Sequence, residues 1–419
     1  HQFIPEAASK GAVACVCRRA WFSAVGAALA RRLGPCLVVA DTVEALGRLA
    51  TYYRRNVMHV ATVVVAVTGT NGKTTTKAMI DHVLCRSLKG RAAPKSFNNQ
   101  IGVPLTLLSA DADDRYLIVE IGTNSPGEVA ALAAITSPDA AVITSISEAH
   151  LQGLGGMDGV AAEKVSLLGH VRLGGLAVVN IDRYELRTHL AGATRARVLT
   201  VGTNPVARLR IANACGNLRG TEFEIDGRFH IELNMPGMHH AANAAAAFAV
   251  ARWFAVAPED IIGRLRSFRP LEGRTRLVEI GGLTVIDDAY NANPASMAAA
   301  VETLGHEPPG RRVFVMGDML ELGPGSASFH QQAVRAVMEA GIETLVAVGS
   351  LTAEAVRTID TSRYGTRVVL CEDAEAASDA LTRILSIGDR VWVKGSRAMR
   401  LDYVISHLQA HFSHKAAVA

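Results

Sequence analysis

A glycine-rich turn between an apolar strand and a helix is the part of the sequence with the clearest chemistry. It reads VAVTGTNGKTTT from Val65 to Thr76. Gly69, Asn71 and Gly72 tolerate the positive φ values that turn successive backbone N–H groups toward phosphate oxygens. The N-terminus of the helix that follows adds its dipole to the same place. We therefore predict that this turn binds a nucleoside triphosphate.

Two side chains of the turn have chemistry of their own. Lys73 supplies a cation for the β- and γ-phosphates, and the Thr74 hydroxyl is placed for Mg²⁺. Val67 stands at the first position of the usual G-x-x-x-x-G-K-[ST] pattern, so the loop is a variant. An ordinary strand–turn–helix corner is the alternative, and the coincidence of strand, glycines, lysine and threonines argues against it. The predicted phosphate loop consists of Gly69, Thr70, Asn71, Gly72, Lys73, Thr74 and Thr75.

Further polar residues follow at the ends of predicted strands. Glu120 ends an apolar run, and His150 follows another. Because the carboxyl ends of parallel strands meet at one edge of a sheet, both side chains are expected beside the phosphate loop. Lys164 comes later on a predicted helix, where by itself it would be an ordinary surface lysine.

Strands and helices alternate along two stretches of the chain, which predicts parallel sheets with crossover helices. The first stretch contains the phosphate loop, whose helix is expected to end near Leu88, and an alanine-rich helix, Ala241–Val256, should close it. The second stretch starts near Arg274. The predicted strands are Val63–Val67, Leu117–Ile121, Ala141–Ile146 and Leu176–Ile181 in the first stretch, and Leu283–Ile286, Val313–Met316, Leu345–Val348, Arg367–Leu370 and Val391–Val393 in the second.

Composition excludes several other classes of protein. The 419 residues suffice for two or three domains, and 49% hydrophobic with 20% charged residues is a globular balance. A net charge of +4 without basic blocks gives no sign of nucleic-acid binding. The best apolar run, Val57–Thr68, is too short to span a bilayer. Six cysteines without a C-x-x-C pair are typical of reduced thiols. We expect a cytoplasmic monomer that inserts into no membrane.

Several strings, in the same order, resemble the Mur ligase family of peptidoglycan synthesis. Three of them are most similar to the family member that adds D-alanyl-D-alanine: NNxIGVPLT, DDxYNANP and GDMxELG. The matching strings are TGTNGKTTT (68–76), SFNNQIGVPLT (96–106), EIGTNSPGE (120–128), AHL (149–151) with Lys164, DDAYNANP (287–294), GDMLELG (317–323) and KGSR (394–397).

The resemblance implies ATP-dependent formation of an amide bond. ATP phosphorylates the terminal carboxylate of a UDP-N-acetylmuramoyl-tripeptide, and the amine of D-alanyl-D-alanine attacks the acyl phosphate. Two Mg²⁺ ions are implied, the first held by Thr74 and Glu120 and the second by His150 and Lys164. Lys164 would carry CO₂ as a carbamate, because a plain ammonium would repel the metal. Lys73, His150 and Lys164 are the implied catalytic residues.

The resemblance also implies contacts to both substrates. In the segment GMHHAANA two asparagines usually flank adenine; His240 stands at the first position, so Asn243 is the expected adenine contact. Arg274 and Asp288 are expected at the ATP phosphates and ribose. The residues expected to face the muramoyl peptide, the dipeptide or the γ-phosphate are Asn98, Asn99, Asn291, Asn293, Lys394, Ser396 and Arg397.

The implied architecture is α/β with three domains. Residues 1–60 resemble the later part of the family's uridine-nucleotide domain, which we therefore expect to be incomplete. Residues 61–271 form the expected P-loop domain with its parallel sheet, and residues 272–419 the expected Rossmann-like ligase domain.

Other functions fit parts of the same pattern. Within the family, the alternatives are a ligase that adds a single amino acid and an enzyme similar to folylpolyglutamate synthase. Outside it, the alternative is a P-loop NTPase whose hydrolysis moves a binding module. Such a switch should hydrolyse ATP without an amino acceptor, whereas a ligase should release phosphate only with both other substrates present.

The phosphate-loop hypothesis predicts that Lys73→Ala abolishes ATP-dependent activity and leaves the fold intact. Loss of one charged group that stabilises a transition state typically costs ~10²-fold or more in rate. Phosphate release measures the activity, and thermal unfolding checks the fold. Turnover close to that of the wild type would contradict the hypothesis.

Overall fold

A computed structural model describes residues 1–26, 34–148, 151–308 and 311–416, and these residues contain three β-sheets. The first is a small parallel pair of strands near the N-terminus, in which Cys15 lies beside Cys36. The elements of this part are α1 (Ile4–Ser9), β1 (Cys15–Arg18), α2 (Arg19–Trp21), a π-turn (Phe22–Gly26), β2 (Cys36–Val39) and α3 (Thr42–Asn56).

The central sheet contains nine strands from the described part of the chain, in the order β11-β10-β9-β8-β7-β6-β3-β5-β4. The strands from β4 to β9 are parallel, and β10 and β11 add an antiparallel edge. Its strands are β3 (Val63–Thr68), β4 (Gly90–Ala92), β5 (Tyr116–Glu120), β6 (Ala140–Ile143), β7 (Leu176–Asn180), β8 (Arg197–Gly202), β9 (Leu209–Asn217), β10 (Gly220–Ile225) and β11 (Phe229–Leu233).

Helices cover both faces of this sheet, because its central strands are apolar on both sides. Alternate residues of β3 enter opposite cores: Val65 and Val67 pack on one side, Val64 and Ala66 on the other. The helices are α4 (Lys73–Leu84), α5 (Gly102–Leu108), α6 (Glu128–Thr136), α7 (Leu151–Leu154), α8 (Met157–Val165) with a 3₁₀ turn (Ser166–His170), α9 (Tyr184–His189), α10 (His240–Trp253) and α11 (Pro258–Ser267).

The third sheet has the order β12-β13-β17-β14-β15-β16 and is parallel except for β12. Apolar cores fill both of its faces. Its elements are β12 (Arg276–Ile280), β13 (Leu283–Asp288), α12 (Pro294–Gly305), β14 (Arg312–Gly317), a 3₁₀ turn (Gly323–Gly325), α13 (Ser326–Glu339), β15 (Thr344–Val348), α14 (Ser350–Arg357), a 3₁₀ turn (Thr361–Arg363), β16 (Arg367–Cys371), α15 (Ala374–Ile384), β17 (Arg390–Lys394), a 3₁₀ turn (Arg397–Met399) and α16 (Asp402–Ala416).

The predicted fold class is confirmed, and every predicted strand is present with ends shifted by a few residues. Three details differ. The phosphate-loop helix ends at Leu84 rather than near Leu88, and α11 follows the alanine-rich helix that was expected to close the region. Strands β1, β2, β4 and β8 to β12 were not predicted. Of these, β10 and β11 alternate between exposed and buried residues, and β9 is largely exposed.

The phosphate loop lies where the connections of the central sheet change direction. β3 is flanked by β5 and β6, and the chain runs from β3 first to one side of the sheet and later to the other. Such a switch point leaves a crevice at the carboxyl ends of the strands, where α/β proteins bind ligands. In this register Glu120 lies next to Val67, and Ile143 next to Thr68.

Helix α3 belongs in space to the central sheet, although it precedes β3 in the chain. It packs against α5 and α6. The Tyr53 hydroxyl donates to the Ala110 carbonyl over 2.7 Å. Arg54, 4% exposed, donates to the Thr136 carbonyl and pairs with Asp139 at 2.6 Å. No described helix is long and apolar enough to cross a membrane.

The burial of Arg54 predicts a large stability effect from a single change. Arg54→Met keeps most of the side-chain volume but leaves two carbonyl oxygens without their donor and takes from Asp139 its buried cation. Among the described residues, only the Val64 N–H and the half-exposed Arg172 then still donate to Asp139. The free energy of unfolding should fall by roughly 3 kcal/mol. The exposed neighbour provides the control, and Arg55→Met should stay within ~0.5 kcal/mol of the wild type. Urea unfolding measures both, and equal effects would contradict the assignment.

Candidate active site

A cleft of ≈ 1150 Å³ lies between the carboxyl ends of the central and third sheets. Nearly all of the residues singled out from the sequence line it, and His150 lies outside the described residues. The predicted residues that line the cleft are Gly69, Thr70, Asn71, Gly72, Lys73, Thr74, Thr75, Asn98, Asn99, Glu120, Lys164, Asn243, Arg274, Asp288, Asn291, Asn293, Lys394, Ser396 and Arg397.

The phosphate loop has the backbone geometry that its glycines allow. Gly69 has φ 144° and Gly72 has φ 82°. Both approach neighbouring atoms closely: a Cβ on Gly69 would lie 2.1 Å from Thr144 Oγ1, and one on Gly72 would lie 2.2 Å from Asn243 Oδ1. Asn71, which would tolerate a positive φ, does not adopt one, and its carbonyl accepts hydrogen bonds from the Thr144 and Ser145 hydroxyls.

Lys73 folds back over its own loop. Its ammonium donates to the carbonyl oxygens of Gly69 at 2.8 Å and Thr70 at 3.0 Å. Burial lowers the pKa of Lys73, and the positive charge of Arg274 lowers it further, while Glu120 opposes the shift. An anion in the cleft would therefore relieve an unfavourable concentration of positive charge.

Glu120 is buried at the cleft and has a carboxylate oxygen available to a metal ion. It is 1% exposed, and its Oε1 accepts a hydrogen bond of 3.0 Å from Asn98. Its Oε2 has no hydrogen-bond partner among the described residues, although Lys77 Nζ lies 3.2 Å away. A buried carboxylate oxygen without a hydrogen-bond donor, in a cleft that Thr74 also lines, fits a hard cation such as Mg²⁺.

Lys164 is buried at the cleft rather than exposed on its helix. It is 3% exposed, and its ammonium makes no hydrogen bond or ion pair with any residue in the described ranges. Burial is the main cause that lowers the pKa of Lys164 to about 7, and Lys73 adds to the shift. The charges of Glu163 and Glu128 oppose this shift of the pKa only in part. The Glu163 carboxylate is directed to two backbone N–H groups at the start of α6.

The third sheet contributes an ion pair. Asp288 and Lys394 are register neighbours on β13 and β17, and their Oδ2 and Nζ atoms lie 2.7 Å apart. Lys394 also donates to the Asn291 carbonyl at 3.1 Å. Beside them, the ring of Tyr290 contacts two arginines, with the guanidinium carbon of Arg274 3.8 Å and that of Arg397 5.3 Å from the ring centre.

Direct hydrogen bonds join the two sides of the cleft. The side chains of Asn71 and Asn293 exchange two, of 2.7 and 3.2 Å, between the phosphate loop and the start of α12. Tyr290 and Ser96 bond through their hydroxyls at 3.0 Å. The third domain is therefore seated on the phosphate loop.

Several residues expected at substrates also hold the local structure. Asn99 accepts hydrogen bonds from the N–H groups of Ile101 and Gly102 at the start of α5. Asn293 caps α12. Ser396 accepts a hydrogen bond from the Leu320 N–H at 2.8 Å. These roles do not exclude substrate contacts, and the predicted roles of the residues stay predictions.

Comparison with known proteins agrees with this geometry. The family described as the Mur ligase middle domain matches residues 67–251, and the Mur ligase glutamate ligase domain matches residues 273–397. A UDP-N-acetylmuramoyl-tripeptide--D-alanyl-D-alanine ligase of Bacillus subtilis is 33% identical over 377 residues, which are 89% of this chain and 80% of that protein. This chain belongs to the Mur ligase family.

Two further relatives support the assignment to the Mur ligases. The enzyme of the same name from Escherichia coli is 32% identical over 90% of this chain and 82% of its own length. The crystal structure of MurF ligase from Thermotoga maritima in complex with ADP superposes with a TM-score of 0.84, at 26% identity, over 99% of this chain and 92% of that one.

Two residues of this Mur ligase site were not predicted. Lys77 supports Glu120, and the available signal was its position one helical turn after Lys73. Tyr290 lies in the quoted DDAYNANP string without an assigned role. An aromatic residue between Asp288 and Asn291 was the signal that could have drawn attention to it.

Two glycines with the same backbone conformation allow a matched test of the phosphate loop. Gly72 and Gly127 both have φ 82°, but a Cβ on Gly127 meets nothing within 4 Å. Gly127→Ala should cost roughly 1–2 kcal/mol of stability from strain and leave nucleotide affinity unchanged.

Gly72→Ala should add the clash with Asn243 to the same strain. Displacing Asn243 should weaken ATP binding by ~10-fold or more. Calorimetric titration with ATP compares the two variants, and an equal loss of affinity in both would show that the contact at Gly72 is unimportant.

Proposed function

We propose that this Mur ligase is an ATP-dependent, ADP-forming ligase that joins D-alanyl-D-alanine to the terminal carboxylate of UDP-N-acetylmuramoyl-tripeptide. One observation carries the proposal: a phosphate loop and the Asp288–Lys394 pair of a second domain face each other across one cleft. The names of the relatives supply the substrates. We also propose a cytoplasmic reaction, since ATP is consumed.

The charges around the cleft suit transfer of a phosphoryl group to a carboxylate. Two anions must meet, and Lys73, Arg274 and Arg397 offset their repulsion. Thr74 and Glu120 would hold one Mg²⁺, which supplies further positive charge to the phosphates when bound. Once the carboxylate oxygen is phosphorylated it can leave as phosphate, and the dipeptide amine takes its place at the carbonyl carbon.

The remaining residues are assigned to substrates by their positions along the cleft. Asn243, Arg274 and Asp288 are proposed at the nucleotide. The residues proposed at the muramoyl peptide, the dipeptide or the γ-phosphate are Asn98, Asn99, Asn291, Asn293, Lys394, Ser396 and Arg397. His150 keeps its predicted role as a ligand of a second Mg²⁺.

Phosphate release under defined substrate mixtures tests the proposed reaction. We expect release with ATP, UDP-N-acetylmuramoyl-tripeptide and D-alanyl-D-alanine together, and a new amide product by mass spectrometry. Omitting the dipeptide, or replacing it by single amino acids, should remove most of the signal. Release from ATP alone would favour the NTPase switch, and efficient use of one amino acid would favour a ligase of a different step.

For Lys164 we propose a carbamate that serves the second metal. The amine is buried, has no charged partner within bonding distance among the described residues, and has a pKa of about 7, so a large fraction is neutral and nucleophilic at neutral pH. Attack of the neutral amine on CO₂ forms the N–C bond and releases one proton to water. The product is an anion, as a metal ligand at this position must be.

The carbamate predicts a dependence on CO₂ that a surface lysine would not cause. Removing bicarbonate should lower activity, most strongly below pH 7, because protonation of the amine prevents attack on CO₂. Lys164→Ala should lose activity in all buffers, and the exposed Lys89→Ala should behave as the wild type. Labelling with ¹³C-bicarbonate should give one carbamate resonance that Lys164→Ala lacks. Full activity of Lys164→Ala without bicarbonate would overturn the assignment.

A further inference from the structure

A continuous series of hydrogen bonds runs from the phosphate-loop helix into the third domain. Thr76 Oγ1 bonds to Asn243 Oδ1 at 3.2 Å, and Asn243 Nδ2 lies 3.2 Å from His240 Nδ1. His240 Nε2 lies 3.3 Å from Thr275 Oγ1, which bonds to Asp288 Oδ1 at 3.4 Å. The series ends at the Asp288–Lys394 pair.

The carboxylate at one end fixes the direction of every bond in the series. An ionised Asp288 can only accept, so Thr275 must donate to it and must accept from His240. His240 therefore carries its proton on Nε2 and accepts on Nδ1 from the Asn243 amide nitrogen. The Asn243 oxygen is then left to accept from Thr76. The three inner members, Asn243, His240 and Thr275, thus each donate one bond and accept one along the series.

The members are buried, so breaking the series would leave polar atoms without partners. Thr76 is 0% exposed, and His240 and Thr275 are each 3% exposed. Burial lowers the pKa of His240 well below its usual value, as do His239 and Lys394, so the imidazole is neutral. Neutral imidazole is the form that both bonds require.

The bond between His240 and Thr275 crosses from the central to the third domain. His240 begins α10, and Thr275 precedes β12. Thr275 has φ 57°, a backbone conformation that β-branched residues rarely adopt. Its two hydroxyl hydrogen bonds are contacts that depend on this conformation, which suggests that the strain is retained for them.

We propose that His240 is a positioning residue that connects the phosphate-loop helix to Asp288 across the domain boundary. Through its Nε2–H bond to Thr275, it holds the third domain's nucleotide-binding pair in register with the phosphate loop. For its effect on turnover the inference rests on the proposed function. Its effect on nucleotide binding rests only on the proposed contact of Asp288 with the nucleotide.

Two amide substitutions of His240 distinguish the hydrogen bond at Nε2 from the one at Nδ1. A glutamine places its amide where Nε2 lies and can still donate to Thr275, whereas an asparagine reaches only as far as Nδ1. His240→Gln should therefore keep ADP affinity within ~3-fold of the wild type, while His240→Asn should weaken it by ~10-fold. His240→Phe, which keeps the ring without its nitrogens, should resemble His240→Asn. The exposed His230→Asn is the control.

The partner hydroxyl provides the second half of the experiment. Thr275→Val removes the bond to His240 and also the bond to Asp288, so it should weaken ADP binding at least as much as His240→Asn does. Thr275→Ser keeps the hydroxyl and should match the wild type. In the double variant His240→Asn with Thr275→Val, affinity for ADP should be no lower than in Thr275→Val alone, because that variant already lacks the bond between His240 and Thr275. Far-ultraviolet circular dichroism and thermal unfolding confirm that each variant is folded.

The outcomes are distinct. Equal losses in His240→Gln and His240→Asn, or additive losses in the double variant, would overturn the proposal. If the wild type binds ADP but releases no phosphate with the proposed substrates, the proposed function fails, and the pattern of ADP affinities still decides the role of His240. If turnover is observed, kcat/KM for ATP should follow the same order.

Discussion

The fold places three basic side chains around one cleft and shields them there from water: Lys73, Lys164 and Arg274. Burial is the largest cause that lowers the pKa of each, and Lys73 lowers that of Lys164 while Arg274 lowers that of Lys73. This desolvated positive charge can be relieved by anions or by loss of a proton. The triphosphate and the substrate carboxylate are such anions. The proposed carbamate forms after Lys164 loses a proton.

The position of this charge follows from strand order and register. Because β3 is flanked by β5 and β6, the loop after β3 opens at a switch point, with Glu120 beside it. The third sheet brings Asp288 and Lys394 to its own carboxyl edge on adjacent strands. Residues of both sheets line the cleft. The hydrogen bonds between Asn71 and Asn293 and between Tyr290 and Ser96 join its two sides.

Much of this arrangement could be predicted from the sequence because its signals are local. The glycines of the phosphate loop, Lys73 next to them, and Glu120 at the end of an apolar run are each encoded within a few residues. The central parallel strands β3, β5 and β6 are nearly continuous apolar runs. The family resemblance then extended the prediction to Lys164, Arg274, Asp288 and Lys394, which do lie at one cleft.

The features that escaped prediction depend on distant parts of the chain. Lys77 resembles any helical lysine until β5 brings Glu120 to it. Helix α3 packs on the central sheet through Arg54, whose partners are about 80 residues away in sequence. The edge strands β9 to β11 are half exposed, so their pattern is weak. The series through His240 could be recognised only once two domains were placed together.

The central claim is that the cleft uses ATP to activate a carboxylate, and the fate of the carboxylate oxygen tests it most directly. UDP-N-acetylmuramoyl-tripeptide labelled with ¹⁸O in its terminal carboxyl group is incubated with ATP, Mg²⁺ and D-alanyl-D-alanine, and the released phosphate is analysed by mass spectrometry. Through an acyl phosphate, one labelled oxygen must pass into each phosphate released. Unlabelled phosphate, formed at the same rate as the amide product, would contradict the account.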